Sequence, residues 1–186
     1  FIIGILNVTG LGFALTLMLV DSVGNNLVLI LIISALISII LGMGLPTSGV
    51  YVLLAALVAP AIVETGVEPI AAHMFILYFG MMSMITPPIA LAAFAASAIS
   101  KADAMSTGFA AMRIGWASYI IPFVFVCTPT LLLEGSVPDI AIDIVKMALG
   151  IAATSTAIVG FLTRPLSVPI RGLVMVLGLA CMPIGV

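Results

Sequence analysis

The sequence predicts an all-α integral membrane protein, a polytopic helical bundle with one re-entrant helical hairpin and one helix broken at a Pro-Pro pair. Three observations predict it. First, 64% of the 186 residues are hydrophobic and only 6% are charged, with a mean hydropathy of +1.47. A soluble domain carries roughly 25% charged residues, so these few charges could not cover a water-facing surface. Second, the charges fall between long apolar blocks. Third, two of those blocks are too long for one crossing and are interrupted by Gly, Pro, Thr and Ser. Disorder needs low hydrophobicity and high charge, and a barrel needs alternating strands of roughly ten residues; neither pattern is present. The net charge of −2 argues against a nucleic-acid partner. Cys127 and Cys181 both sit in apolar runs and read as free packing thiols.

The blocks are read in chain order. Residues 1–20 are uncharged and make one crossing of about 20 residues. Asn7 and Thr9 within it read as interhelical hydrogen-bonding groups. Residues 22–63 and 69–100 are the two long blocks, the second carrying only His73. Residues 114–133 and 147–163 make one crossing each, and 172–186 begin another. No basic segment or cleavage site marks a signal peptide. A start at Phe1 and an end inside an apolar run lead to the expectation of a fragment of a longer protein.

In the first long block, residues 27–41 and 50–63 are apolar arms of about 15 residues. Each spans roughly 22 Å as helix, short of the ~30 Å hydrocarbon core. Between them lies Gly42-Met43-Gly44-Leu45-Pro46-Thr47-Ser48-Gly49. Two short arms with such a tip predict a re-entrant hairpin over 27–63; the alternative is two short complete helices with a tight turn. Irregular backbone at membrane depth is tolerated only when buried in protein or lining a cavity.

The second long block predicts a broken helix over 70–99. Pro87 and Pro88 lack N–H groups and clash with the carbonyls four residues earlier, so carbonyls near Ser83 and Met84 are expected to lose their helical donors. A plain proline kink is the alternative. The alanines at 90, 92, 93, 95, 96 and 98 allow close helix approach in lipid. His73 reads as a packing or hydrogen-bonding residue at the start of this helix.

Charge sets the expected orientation. With the hairpin returning to its own side, Lys101, Arg113, Arg164 and Arg171 share one face with Asp103. Asp21, Glu64, Glu68, Glu134, Asp139, Asp143 and the single base Lys146 share the other. The positive-inside rule makes the first face cytoplasmic. The three arginines read as topology determinants, Trp116 and Tyr119 as an interfacial anchor, and Asp139, Asp143 and Lys146 as a solvated helix start.

The two breaks define the candidate site. In secondary transporters, unwound backbone near the midplane supplies carbonyls for a cation, and half-helix N-termini face an anionic substrate group. Candidate cation-binding residues are Gly42, Gly44, Pro46, Thr47, Ser48, Ser83, Ile85 and Thr86. Candidate substrate-binding residues are Thr47, Ser48, Thr86, Pro87 and Pro88. Oxygen-only ligands suit a hard cation such as Na+. No transition-metal site is expected, since His73 stands alone and the cysteines are far apart.

The run GMGLPTSGVYVLLAALVAPAIVETGVEPIAAHMFILYFGMMSMITPP, residues 42–88, resembles the large membrane subunit of tripartite ATP-independent periplasmic (TRAP) transporters, closest to the fused-permease type. The GMGLPT and ITPP motifs, their spacing and the intervening AAHMF carry the resemblance, which covers roughly residues 4–133. It implies an elevator-type secondary transporter of the ion-transporter superfamily in a bacterial or archaeal inner membrane. The substrates implied are mostly organic acids delivered by a periplasmic solute-binding protein, usually with Na+ as coupling ion and no other cofactor. A small membrane subunit, separate or fused, is the other implied partner. Each of two inverted repeats in that family contributes one hairpin and one broken helix; only the second pair is found here. Residues 1–133 therefore read as the second-repeat transport region, and 134–186 as additional, truncated C-terminal membrane helices. A channel using the broken helices as an ion path is the competing class. An intramembrane enzyme is disfavoured, because no nucleophile–base pair or metal dyad lies in the spans.

Overall fold

A computed structural model of the chain describes residues 14, 18, 26–162 and 164–183. Apart from Ala14 and Met18, both helical, the first expected span lies outside the described residues, as do Asn7, Thr9 and Asp21. The described residues are helical, with a single isolated bridge between Phe161 and Pro165. They form two compact units, Phe1–Val126 and Cys127–Val186.

In the first unit, α1 (Leu27–Gly42) starts at Asn26, whose side chain accepts from the Leu29 amide at 3.2 Å. This satisfies one of the donors that a helix start leaves orphaned. The second helix, α2 (Thr47–Leu57), follows after four residues. Pro60 lies at the start of a separate short helix, α3 (Ala59–Val63). It carries no amide hydrogen to continue the α2 ladder, so the second arm is bent at Val58 where one straight helix over 50–63 was expected. The helix α4 (Pro69–Met82) has proline at its first turn, where the missing donor costs nothing. After the break come α5 (Leu91–Ser100), α6 (Ala104–Ile114) and α7 (Ala117–Cys127).

The core of this unit forms around α4, which buries Ala71, Ala72, Phe75, Ile76, Phe79 and Gly80. Both hairpin arms pack on it. Phe75 and Phe79 meet Phe123 of α7 at 5.2 and 5.6 Å between ring centroids, near edge-on, a favoured arrangement for aromatic quadrupoles. The face of α1 away from α4 is apolar yet exposed: Val28, Ile32, Leu36 and Ile40 are 43–64% accessible. With apolar side chains on its outward face, α1 suits an apolar surrounding and not water.

In the second unit, a short 3-10 turn (Pro129–Leu132) leads to α8 (Val137–Val159) and α9 (Val168–Cys181). These two helices pack closely because glycines face each other's backbones. A Cβ on Gly178 would fall 2.5 Å from the Thr154 hydroxyl oxygen and 2.9 Å from its amide nitrogen. One on Gly150 would fall 2.8 Å from the Gly178 carbonyl. Arg171 donates to the Ala157 and Ile158 carbonyls at 2.9 and 3.1 Å, closing the end of α8 where helical donors run out.

Charge marked helix ends poorly. Residues 104–127 form a run of two helices joined by a turn at Gly115 and Trp116, not a crossing that begins at 114. Asp103 starts it by accepting from the Ser106 amide at 2.8 Å, so Arg113 lies in the last turn of α6. That amide also holds the Asp103 carboxyl below the usual carboxylate range, so the cap's contribution is present above that range and is lost as pH falls through the lowered value. Likewise α8 begins at Val137 with a Ser136 cap and not at 147; Asp139 lies in its first turn, as expected of a helix start, with Asp143 and Lys146 further in. Thr130 and Lys146 both hydrogen-bond to Asp143. α9 begins at Val168, so Arg171 is part of a helix. The runs 104–127 and 137–159 are long and apolar enough to cross a membrane.

The close α8–α9 pairing yields a direct test. Gly178→Ala places its methyl against backbone that cannot swing aside, so about 2 kcal/mol of destabilisation is expected. Thermal unfolding of the detergent-solubilised protein reads it; an unchanged midpoint would mean the two helices do not meet at this glycine.

Candidate functional site

The hairpin turn is compact. Gly42 ends α1, Gly44 adopts φ +81°, and the Leu45 amide donates back to the Gly42 carbonyl at 3.4 Å. Only Gly takes such a positive φ without a steric cost. Pro46 then precedes α2, so Thr47, Ser48 and Gly49 are its first turn and not part of an irregular tip. Pro46 offers no side-chain cap, and the first amide to find a backbone acceptor is that of Val50, bonded to the Pro46 carbonyl at 3.0 Å. Residues 44–49 are exposed. The turn therefore presents a bare helix N-terminus flanked by the Thr47 and Ser48 hydroxyls.

The break in the second long block spans residues 83–90, with the Pro87–Pro88 bond cis. Its interior is more nearly satisfied than two prolines imply. The Met84 carbonyl, stripped of its helical donor by Pro88, accepts from the Ala92 amide at 3.0 Å. The Met82 carbonyl accepts from the Ile85 amide at 3.1 Å and the Thr86 hydroxyl at 2.6 Å. The Ser83 hydroxyl donates to the Gly80 carbonyl at 2.6 Å. Among the described residues, no backbone amide donates to the Ser83 or Ile85 carbonyl. The expectation of open carbonyls thus holds for Ser83 and fails for Met84, whose partner comes from the helix beyond the break.

The two interruptions meet at one point. A Cβ on Gly42 would lie 2.7 Å from the Ser83 hydroxyl oxygen and 2.9 Å from the Gly80 carbonyl. Gly42 and Ser83 are therefore in close contact, with Ser83 only 2% exposed. Thr47 and Ser48 do not join them: both are exposed, while Thr86 is buried. Further along the arm, the Tyr51 hydroxyl lies 3.1 Å from His73 Nδ1, a polar tie between α2 and α4 that gives His73 the hydrogen-bonding role expected of it.

The sequence reading missed the seat on which the break rests. One face of the 104–127 run presents Gly108, Gly115 and Tyr119, at helical spacings of seven and four. A Cβ on Gly108 would lie 2.8 Å from Pro87 Cγ, and one on Gly115 3.0 Å from Ile85 Cδ1. The Tyr119 hydroxyl lies 2.7 Å from the Thr86 hydroxyl. Tyr119 is thus a partner of the break and not only an interfacial aromatic. Also missed were Ser34 and Ser38, both fully buried on α1 with no hydrogen-bond partner. They stand on the Gly42 face, at the i, i+4, i+8 spacing that aligns side chains along a helix.

Comparison with known proteins gives one finding. A family described as "Tripartite ATP-independent periplasmic transporter, DctM component" matches residues 1–140, a stretch that includes both breaks and the Gly108–Gly115–Tyr119 face. No curated protein and no solved structure matches.

The Gly42–Ser83 contact can be tested on its own. Gly42→Ala is expected to lower the thermal midpoint, by a destabilisation of about 1–3 kcal/mol. Adding Ser83→Ala removes the nearest obstructing atom and should recover part of the loss. A Gly42→Ala protein as stable as wild type, or no recovery in the double variant, would mean the turn and the break do not touch there.

Proposed function

The chain belongs to the DctM family of tripartite ATP-independent periplasmic transporter components, and on that premise we propose that it is the part of an inner-membrane secondary transporter that holds substrate and coupling ion. The proposed reaction is uptake of an organic acid, handed over by a periplasmic solute-binding protein and driven by a Na+ gradient. A small membrane subunit completes the assembly, and the hairpin and break move together as an elevator through the bilayer. The observation that carries this reading is the convergence of two helix interruptions at Gly42 and Ser83, each with backbone groups that no helix satisfies.

The two ends have opposite polarity. At the turn, the bare amides of Thr47, Ser48 and Gly49 begin α2, where the helix dipole is positive. With the two hydroxyls they form a cradle for a carboxylate. At the break, the Ser83 and Ile85 carbonyls and the Thr86 oxygen offer electron pairs to a hard cation. In apolar surroundings each unsatisfied group costs several kcal/mol, so a bound anion and cation would satisfy both ends at once. The re-entrant placement of 27–63, with its turn at membrane depth, belongs to the same proposal.

Variants of the two hydroxyls separate these roles in the assembled transporter reconstituted in liposomes. Thr86→Val keeps the shape and removes a cation ligand. It is expected to raise the Na+ concentration for half-maximal uptake about tenfold, or ~1.4 kcal/mol. Thr47→Val is expected to raise the substrate KM and leave the Na+ dependence alone. If neither parameter moves in either variant, substrate and ion bind elsewhere.

The orientation is tested by labelling. Single cysteines at Lys101 and Glu64, in a Cys-free background, are exposed to an impermeant thiol reagent in intact cells. The positive-inside rule predicts labelling at Glu64 only; labelling at Lys101 only would invert the topology.

A further inference from the structure

Thr86 makes two short hydrogen bonds through one oxygen, at 2.6 Å to the Met82 carbonyl and 2.7 Å to the Tyr119 hydroxyl. A hydroxyl has a single proton, and a carbonyl can only accept. The Thr86 proton therefore goes to Met82. The contact with Tyr119 then has one sense: Tyr119 donates and Thr86 accepts. One electron pair of the Thr86 oxygen is taken by that proton, leaving one pair whose direction is fixed by the other two bonds.

Tyr119 is itself held in place. Its ring packs against Phe79 at 6.5 Å between centroids, and Phe79 packs against Phe75 at 4.8 Å and Phe123 at 5.6 Å. Four residues earlier on the same face, Gly115 lets Ile85 approach the backbone closely. A tyrosine serving only as an interfacial anchor keeps its hydroxyl among headgroups, whereas this one is directed into the break.

We infer that Tyr119 is a positioning residue, whose hydroxyl aims the free electron pair of Thr86 at the cation and so tunes which cation the site prefers. This rests on the reading of Thr86 as a cation ligand. Without the Tyr119 proton, Thr86 has two available electron pairs and its side chain is held by the bond to Met82 alone. Affinity then falls, and discrimination between cations of different radius falls with it.

The test uses the assembled transporter in liposomes, with Na+ and Li+ compared as driving cations and direct 22Na+ binding measured in detergent. Tyr119→Phe keeps the ring and removes only the hydroxyl. It is expected to raise the half-saturating Na+ concentration about three- to tenfold, as for one hydrogen bond. It should also shift the Na+/Li+ ratio, with maximal rate and substrate KM within about twofold of wild type. Because Tyr119 acts through Thr86, the same substitution should add nothing in a Thr86→Val background and retain its effect in Thr86→Ser. If Thr86→Val weakens Na+ binding but Tyr119→Phe leaves both affinity and ratio unchanged, the inference fails alone. It also fails if Tyr119→Phe has its full effect in the Thr86→Val background. If Thr86→Val leaves Na+ binding unchanged, the cation reading fails and the inference falls with it. Should Tyr119→Phe fold poorly, 3-fluorotyrosine placed at position 119 keeps the ring and makes its hydroxyl a stronger donor; Na+ affinity and Na+/Li+ ratio both unchanged by it would overturn the inference.

Discussion

A backbone amide or carbonyl in apolar surroundings has no water to turn to, and every feature of the first unit answers to that constraint. A continuous helix satisfies it automatically. At Met43–Pro46 and again at residues 83–90 the chain gives up that solution, and side chains or distant amides must take over. Ser83 serves Gly80, Thr86 serves Met82, and Ala92 reaches back across the break to Met84. What these repairs leave over at the two interruptions includes the first amides of α2 and the carbonyls of Ser83 and Ile85. The proposed site is built from these remaining groups. Its position follows from where Pro46, Pro87 and Pro88 stand.

That logic explains which parts were legible in the sequence. Proline and glycine act on their own backbone, so the two interruptions could be placed from residue type alone. The contact of Gly42 with Ser83 needed only that both interruptions share one core. The seat beneath the break was different. Gly108, Gly115 and Tyr119 look like any small residues and any aromatic on an apolar helix; they acquire meaning through Pro87, Ile85 and Thr86, which are 21, 30 and 33 residues away in sequence. The spacing of 108, 115 and 119 along one face was a readable signal, but it does not say what the face covers. Charge was the weakest guide. It marks where a chain meets water, not where a helix starts, and Arg113, Lys146 and Arg171 all lie within helices.

The second unit meets the same constraint in a different way. Its helices are long and uninterrupted, and the open carbonyls at the end of α8 are met by one guanidinium, from Arg171. Thr154 donates to the Gly150 carbonyl within its own helix, which keeps its hydroxyl satisfied while Gly178 presses against it. The contrast with the hairpin and break is one of purpose: here the small residues fix a close crossing, and there they open a gap in the ladder.

The face that α1 turns toward α4 has a mechanical consequence. Ser34, Ser38 and Gly42 succeed one another every four residues, and among the described residues no hydrogen bond joins α1 to α4. Dispersion contacts of ~0.1–0.2 kcal/mol each are then what hold the first arm to α4. Register is set there by shape: Ile30 and Leu31 on α1 are buried together with Phe75, Ile76 and Phe79 on α4. The second arm has in addition the polar tie between Tyr51 and His73, so the two arms of one hairpin are held to the same helix by different means.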